Sequence, residues 1–344
     1  MATVAINGFG RIGRAFFKLA RLHRELNIIA INDLGDPETL AYLLRYDSTY
    51  GRFDKPVSVQ KSGSQTFLIV DDIAYQLISE KDPAKLPWGD MGVDLVVEAT
   101  GIFESYEKAR VHIDAGAQRV VLTAPAKDED TDTARTVLMG INADDLKTCS
   151  ISSNGSCTTN SAAPIIRILQ DAIGIQKAFL STVHGYTATQ SLIDGPVKGG
   201  DVRRGRAAAA NIVPSSTGAA IAVTRAVPEL AHRFDGVAMR VPIITGSLSS
   251  ITFLAKRQTK VPEINDILSA AAMREEWKGI FRVNTDPIVS TDIIGDPHAA
   301  IADLTLTNVV DGDLCTVYSW YDNEFGYTNA LVKHVRAVAA LISR

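Results

Sequence analysis

Residues 3–33 constrain the fold more than any other part of the chain. Thr3-Val4-Ala5-Ile6 reads as a buried strand, and Asn7-Gly8-Phe9-Gly10-Arg11-Ile12-Gly13 follows it at once. From Arg14 to His23 the residues Phe16, Phe17, Leu19, Ala20 and Leu22 recur at helical intervals. Ile28-Ile29-Ala30-Ile31-Asn32-Asp33 is then a second apolar strand, ending in an acid. Glycines by themselves also make simple turns. Set between a strand and a helix, with Asp33 following 20 residues after Gly13, Gly8-x-Gly10-x-x-Gly13 points to a βαβ unit that binds a dinucleotide. Gly8 allows the tight turn, Gly10 lets the backbone approach a pyrophosphate, and Gly13 lets the helix pack closely on the strand. The helix N-terminus supplies N–H donors to the phosphates, so Phe9, Arg11 and Ile12 count with the cofactor site. Asp33 would accept hydrogen bonds from the adenosine ribose and repel a 2′-phosphate, and Leu34 beside it offers no positive charge. NAD rather than NADP is the expected cofactor.

The α/β alternation continues with a helix over Pro37–Tyr46 and short strands between Val57 and Ile78. Asp94 to Gly101 reads as a buried strand with a small-residue turn, and Arg119 to Pro125 as another. Ligands of open α/β sheets bind at the carboxyl ends of the strands, so Thr100, Gly101 and Thr123 join the cofactor residues. Lys127–Arg135 reads as a charged surface loop. Near residue 150 the pattern changes. Strand-like stretches at Met239–Ile244, Ser249–Lys256, Ile301–Asn308 and Leu314–Tyr321 alternate with helices at Val261–Ala272 and Thr328–Ile342. The fold expected is an α/β Rossmann-type dinucleotide-binding domain plus an α+β catalytic domain with a largely antiparallel sheet. Residues 1–156 would form the first and 157–322 the second, with 323–344 packing back on the first. Two domains suit 344 residues.

Ser153-Asn154-Gly155-Ser156-Cys157-Thr158-Thr159-Asn160 lies between a short β-compatible stretch and a helix pattern that runs to Ile173. A helix N-terminus there favours thiolate over thiol, so the Cys157 pKa is expected below the ~8.5 of a free thiol. The bland alternative is a small buried cysteine at a tight turn. Of six histidines, His184 is the best placed partner, at a strand end before Gly185. His23, His112, His232, His298 and His334 fall in helical or surface contexts, where a solvated histidine is expected. A Cys/His pair with a dinucleotide suits aldehyde oxidation through a sulfur adduct, with His184 taking the proton.

Totals narrow the field further. The net charge of −4 gives no general attraction to nucleic acid or acidic membranes. Three cysteines make neither a disulfide framework nor a metal spacing, and with no signal-peptide or membrane pattern the expected location is cytoplasmic. No metal is expected.

Asn7 to Arg14, Ser153 to Asn160, His184 to Gln190 and Trp320-Tyr321-Asp322-Asn323-Glu324 together resemble the phosphorylating glyceraldehyde-3-phosphate dehydrogenases, nearly end to end. The resemblance implies Cys157 as nucleophile, His184 as base, and Asn323 as holder of the nicotinamide carboxamide. It implies a site for inorganic phosphate at Ser156, Thr158, Thr217 and Gly218, and one for the substrate's own phosphate at Thr187 and Arg240. The implied substrate is glyceraldehyde 3-phosphate, in a homotetramer whose Asp194–Ala210 segment reaches a neighbouring subunit. Arg203, Arg204 and Arg206 in that segment either form intersubunit salt bridges or bind an anion. The related erythrose-4-phosphate dehydrogenases are the alternative, against which Thr187-Ala188-Thr189-Gln190 speaks. A non-catalytic NAD- or nucleic-acid-binding protein on this fold would be expected to lack Cys157, His184 or the phosphate residues, all of which are present. The chain departs from the family pattern at Gly155, usually alanine, and at Ile243-Ile244-Thr245-Gly246-Ser247, which leaves the loop shape beside Arg240 open.

Overall fold

The computed structural model describes residues 1–197 and 201–342. Residues 198–200 of the Asp194–Ala210 segment and 343–344 of the C-terminal segment lie outside the described residues. The chain divides into two compact units. One comprises Met1–Val137, Ala143–Gly155 and Leu331–Arg344, the other Leu138–Asn142 and Ser156–Ala330.

The first unit opens with β1 (Ala2–Asn7), α1 (Arg11–Ala20), β2 (Leu26–Asn32) and α2 (Pro37–Arg45). A two-residue hairpin, β3 and β4 (Tyr46–Asp47 and Gly51–Arg52), precedes a meander of β5 (Val57–Ser62), β6 (Gln65–Val70) and β7 (Ile73–Ile78). There follow β8 (Leu95–Glu98), the short helices α3 (Tyr106–Ala109) and α4 (Val111–Asp114), and β9 (Arg119–Leu122), β10 (Ala134–Thr136) and β11 (Ile151–Ser153). Nine strands form one sheet in the order β10-β11-β9-β8-β1-β2-β7-β6-β5. It is parallel from β10 to β7 and antiparallel only within the meander. The central strands are buried on both faces, which is why Val4 to Ile6 and Leu95 to Val97 are continuously apolar. From β1 the chain proceeds to β2 on one side and later to β8 on the other, so the strand order reverses there and leaves a crevice at the carboxyl ends. The last two residues of the Lys127–Arg135 stretch belong to β10 rather than to a loop. Ala134 is buried because β10 pairs with β11.

The second unit contains α5 (Cys157–Ala172), β12 (Ile175–Gly185), β13 (Val213–Ser216), α6 (Ala219–Ala226), β14 (Phe234–Val241), β15 (Ser247–Ala255), α7 (Val261–Ala272), β16 (Phe281–Asn284), β17 (Ala300–Val310) and β18 (Leu314–Tyr321). Its seven strands run β13-β14-β12-β15-β18-β17-β16, antiparallel except for β12–β14 and β16–β17. Strict alternation of buried and half-buried residues along β15 marks one face as core. That face carries Ile251 and Phe253 against Ile165, Ile166 and Leu169 of α5 in one apolar cluster. Each such side chain contributes about 1.5–3 kcal/mol by burial.

Two helix starts differ from the periodicity. α5 begins at Cys157, seven residues before the apolar pattern at Pro164, because Ser156 and Thr159 form a reciprocal capping box. Its first turn is small and polar, so it leaves no apolar signal. The C-terminal helix α8 (Phe325–Ala340) begins before Thr328 because the buried Asp322 carboxylate accepts from Glu324 N and Phe325 N, both at 2.9 Å. α8 belongs to the second unit as far as Ala330 and to the first from Leu331.

Candidate functional site

The crevice of the first unit is a cavity of ≈ 270 Å³ lined by Gly8, Gly10, Asn32, Asp33, Leu34 and Thr100, among others. At Gly8 a Cβ would stand 2.7 Å from the backbone of Ala99 and Thr100, and φ is +98°. At Gly13 a Cβ would meet Gly8 O at 2.1 Å, so helix and loop approach as only glycine permits. Gly10 is different: it caps α1, is exposed, and a Cβ there would meet nothing within 4 Å. Open backbone at a helix N-terminus suits a pyrophosphate. Asp33 Oδ2 accepts from Phe9 N at 2.6 Å and Oδ1 from Gly35 N at 2.8 Å, so the acid also holds the glycine loop in place. Each oxygen keeps a lone pair for a ribose hydroxyl. Phe9 itself is buried against Phe17 and offers the loop only its backbone. Arg11 turns to Asp47 at 2.8 Å and Ile12 lies half-buried on the first turn of α1. Gly101 (φ +69°) and Thr123 follow β8 and β9, with Thr123 N bonded to Glu98 O at 3.1 Å. The residues present fit a dinucleotide.

Beneath this crevice lies a buried polar network in which the sequence singled out only Asn7 and Thr100. Glu98, 3% exposed, accepts from Asn7 Nδ2 at 2.6 Å and from Thr100 N at 2.8 Å, and its Oε2 meets His112 Nε2 at 3.0 Å. Trp88 Nε1 donates to His112 Nδ1 at 3.1 Å, which leaves the His112 proton on Nε2, facing Glu98. Asn32 Nδ2 donates to Asn7 Oδ1 at 2.7 Å. The ends of β1, β2 and β8 are thereby tied together. The expected solvated histidines are thus corrected at two positions. His112 and His334 are both fully buried, because helical spacing does not say which face of a helix meets the core.

In the second unit Cys157 is the first residue of α5, with its Sγ 3.3 Å from His184 Nε2. β12 and β14 are parallel and in register at His184 and Arg240, so both side chains leave the sheet on the same face. Arg240 Nη1 stands 2.6 Å from His184 Nδ1, and that same nitrogen is 2.6 Å from Gly185 O. Tyr321 packs its ring against His184 at 5.9 Å, and its hydroxyl bridges Thr158 Oγ1 at 2.9 Å and Thr182 Oγ1 at 2.7 Å. Tyr321 lies inside the Trp320–Glu324 motif, yet only the tertiary structure shows it against His184 and Thr158.

Electrostatics here differ from the expectation. Burial pushes the Cys157 thiol up, and the counteracting Arg240 charge and hydrogen bonds from Thr158 are smaller. Burial and then Arg240 lower His184 to about 3, so its ring is neutral at pH 7 and supplies no cation. The helix N-terminus is present as expected, but removal from water outweighs it. Cys149 and Cys315 are also raised by burial, the latter to about 11, and all three cysteines are free thiols.

The remaining candidates take these positions. Ser156 is the N-cap of α5, accepting from Thr159 N at 3.0 Å. Thr158 is buried on Tyr321. Thr187 shares a 2.9 Å hydroxyl contact with Thr189. Thr217 Oγ1 accepts from Ala219 N at 3.2 Å, and Gly218 caps α6 with open space around it. Asn323 Oδ1 accepts from Thr245 Oγ1, Gly246 N and Ser247 Oγ at 2.9–3.2 Å, so its NH₂ is the group it can offer a ligand. The Ile243–Ser247 segment, left open by the sequence, supplies all three of these donors. Arg203 pairs with Asp201 at 3.0 Å, Arg204 donates to Ser215 Oγ at 2.7 Å, and Arg206 pairs with Asp194 at 2.9 Å. These arginines find partners within their own chain, so they do not call for a neighbour's. Among the described residues no group of three or more His, Cys, Asp or Glu could hold a metal ion, and no helix is long and apolar enough to cross a membrane.

A glycine-lined dinucleotide crevice in one unit and a thiol–imidazole pair in the other define the class, an NAD-dependent oxidoreductase. The family profile described as glyceraldehyde 3-phosphate dehydrogenase, NAD binding domain, matches residues 2–106, and that of the C-terminal domain matches residues 156–323. "Glyceraldehyde-3-phosphate dehydrogenase 1" of Streptomyces avermitilis is 46% identical over 332 residues, covering 96% of each chain. The enzymes named glyceraldehyde-3-phosphate dehydrogenase of Mycolicibacterium smegmatis and Mycobacterium tuberculosis are 46% and 47% identical over 342 and 341 residues, each covering 97% of this chain and 98% of the relative. The chain belongs to the glyceraldehyde 3-phosphate dehydrogenase family.

Proposed function

We propose that this enzyme oxidises D-glyceraldehyde 3-phosphate to 1,3-bisphosphoglycerate with NAD and inorganic phosphate, in glycolysis and gluconeogenesis. The observation that carries the reading is the Cys157 Sγ–His184 Nε2 contact at the N-terminus of α5. NAD, when bound, supplies the hydride acceptor. Cys157 adds its sulfur to the aldehyde carbon while His184 Nε2 takes the thiol proton and returns it to the developing oxyanion, giving a hemithioacetal. His184 then removes the hydroxyl proton as hydride departs, leaving a thioester on Cys157. Inorganic phosphate attacks that thioester carbon and the Cys157 thiolate leaves. The first-turn N–H groups of α5 stabilise the oxyanion in each step.

Arg240 and Thr187 hold the substrate's phosphate in this reading, and the open N-terminus of α6 at Thr217 and Gly218, with Ser156, receives the attacking phosphate. Thr158 Oγ1 can accept from the Tyr321 hydroxyl and donate its own proton to that anion. Asn323 offers its NH₂ to the nicotinamide carboxamide oxygen. The reading makes the protein a cytoplasmic homotetramer. Leu192 (79% exposed), Ile193 (75%), Val202 (78%) and Ile212 (69%) lie in or next to the Asp194–Ala210 segment, and this exposed apolar surface supports an assembly in which a neighbouring subunit covers it. The test is NADH formation from glyceraldehyde 3-phosphate with and without inorganic phosphate, and from erythrose 4-phosphate. Phosphate-dependent turnover with the triose is expected. A higher kcat/KM with the four-carbon sugar would overturn the substrate, and phosphate-independent turnover the acyl-transfer step.

A further inference from the structure

Tyr321 is a buried phenol that none of the steps above uses, and its hydroxyl is the middle member of a chain of three. It lies 2.7 Å from Thr182 Oγ1 and 2.9 Å from Thr158 Oγ1. Thr182 belongs to β12, Tyr321 to β18 and Thr158 to the first turn of α5. Burial pushes the phenol up to about 12, so the hydroxyl keeps its proton at neutral pH. Each hydroxyl has one proton to give and two lone pairs with which to receive, so the chain can run in two directions. Either Thr182 donates to Tyr321 and Tyr321 to Thr158, or Thr158 donates to Tyr321 and Tyr321 to Thr182.

Both ends of the chain favour the first direction. In the second, the Thr182 proton is left with Leu248 O at 3.4 Å, whereas in the first it makes the 2.7 Å bond to Tyr321. A distance of 2.7 Å is ordinary for O–H···O and 3.4 Å is long. Ser249 pairs with Thr182 across β12 and β15, and its buried hydroxyl, which has no close partner, acts on the same phenol. At the other end the Thr158 hydroxyl hydrogen-bonds to Cys157, and a proton given to the sulfur is not available to Tyr321.

We propose that Tyr321 is a positioning residue for the attacking phosphate: by donating to Thr158 Oγ1 it occupies one lone pair of that hydroxyl and leaves Thr158's own proton for the anion. This rests on the reading of Thr158 as a ligand of inorganic phosphate and deepens it. No proton is transferred along the chain; the bonds are aligned, and each polarises the next. The ring of the same side chain packs edge-on against His184, so the base and the phosphate's donor lean on one residue.

The experiment compares wild type with Tyr321→Phe, which keeps the ring and removes the hydroxyl. Mixing enzyme, NAD and glyceraldehyde 3-phosphate without phosphate gives a burst of NADH that reports the steps up to the thioester. Steady-state turnover against phosphate concentration gives kcat/KM for phosphate, which reports the acyl transfer. Expected is a kcat/KM for phosphate about fivefold lower, with a burst rate changed less than twofold. Thr158→Val, which loses the hydroxyl itself, should lower it further. The sign discriminates, because in the opposite direction Tyr321→Phe frees the Thr158 proton and raises kcat/KM for phosphate. An unchanged or raised value in Tyr321→Phe, or a burst slowed as much as the acyl transfer, overturns the positioning role; if Thr158→Val is still impaired with phosphate, the phosphate site stands. An unimpaired Thr158→Val overturns both. Should Tyr321→Phe not fold, Thr182→Val decides: losing the first donor of the chain should lower kcat/KM for phosphate about twofold, and an unchanged or raised value refutes the chain.

Discussion

His334 should make this protein selectively labile to mild acid, by an amount that can be worked out. It sits on α8 with no exposed surface, its Nε2 2.7 Å from Ser152 Oγ and its Nδ1 3.2 Å from Asn154 Oδ1. Neither partner carries a charge. Burial lowers its pKa from 6.5 to about 4. A cationic group depressed in the fold is protonated more readily in the unfolded chain, so its effect appears as pH falls through 6.5 toward 4 and is absent above. Between pH 7 and pH 5 the unfolded state gains about 2 kcal/mol from this site alone. His334→Gln, which cannot titrate, pays a pH-independent penalty for altered packing but should lose about 2 kcal/mol less than wild type over that interval. Urea unfolding of both proteins at pH 7 and pH 5 measures the double difference, in which contributions common to both cancel. If the two proteins lose equal stability between those pH values, His334 is not the buried neutral group described. Because Ser152 and Asn154 lead into the turn before Cys157, loss of activity should accompany the acid transition.

Two further outcomes are expected. Ser247→Ala removes one of three donors to Asn323 Oδ1 and should weaken NAD about fivefold, near 1 kcal/mol, while ADP-ribose, which lacks the nicotinamide, binds as before in the same calorimetric titration; equal weakening of both ligands would sink the assigned amide orientation. Ile193→Asp, at an exposed apolar position with no core role, should dissociate the proposed homotetramer in light scattering at micromolar concentration, and an unaltered mass would remove this stretch from the proposed subunit interface.

What the sequence settled was local. The glycine loop and its acid were legible because backbone geometry at Gly8 and Gly13 admits no side chain, a demand that shows in one dimension. The two-unit α/β and α+β architecture followed from strand and helix periodicity, and Cys157 and His184 were picked out by their neighbours. Everything that depends on packing between distant segments was decided by the tertiary structure. The register of β12 on β14 brings Arg240 onto His184, and no spacing announces a contact across 56 residues. His112 and His334 were read as solvated because a helical position has no inside until the sheet it covers is known. The thiol was expected low because a helix N-terminus is visible in the sequence. Its actual direction is set by desolvation, a sum over surrounding atoms that only the folded chain assembles.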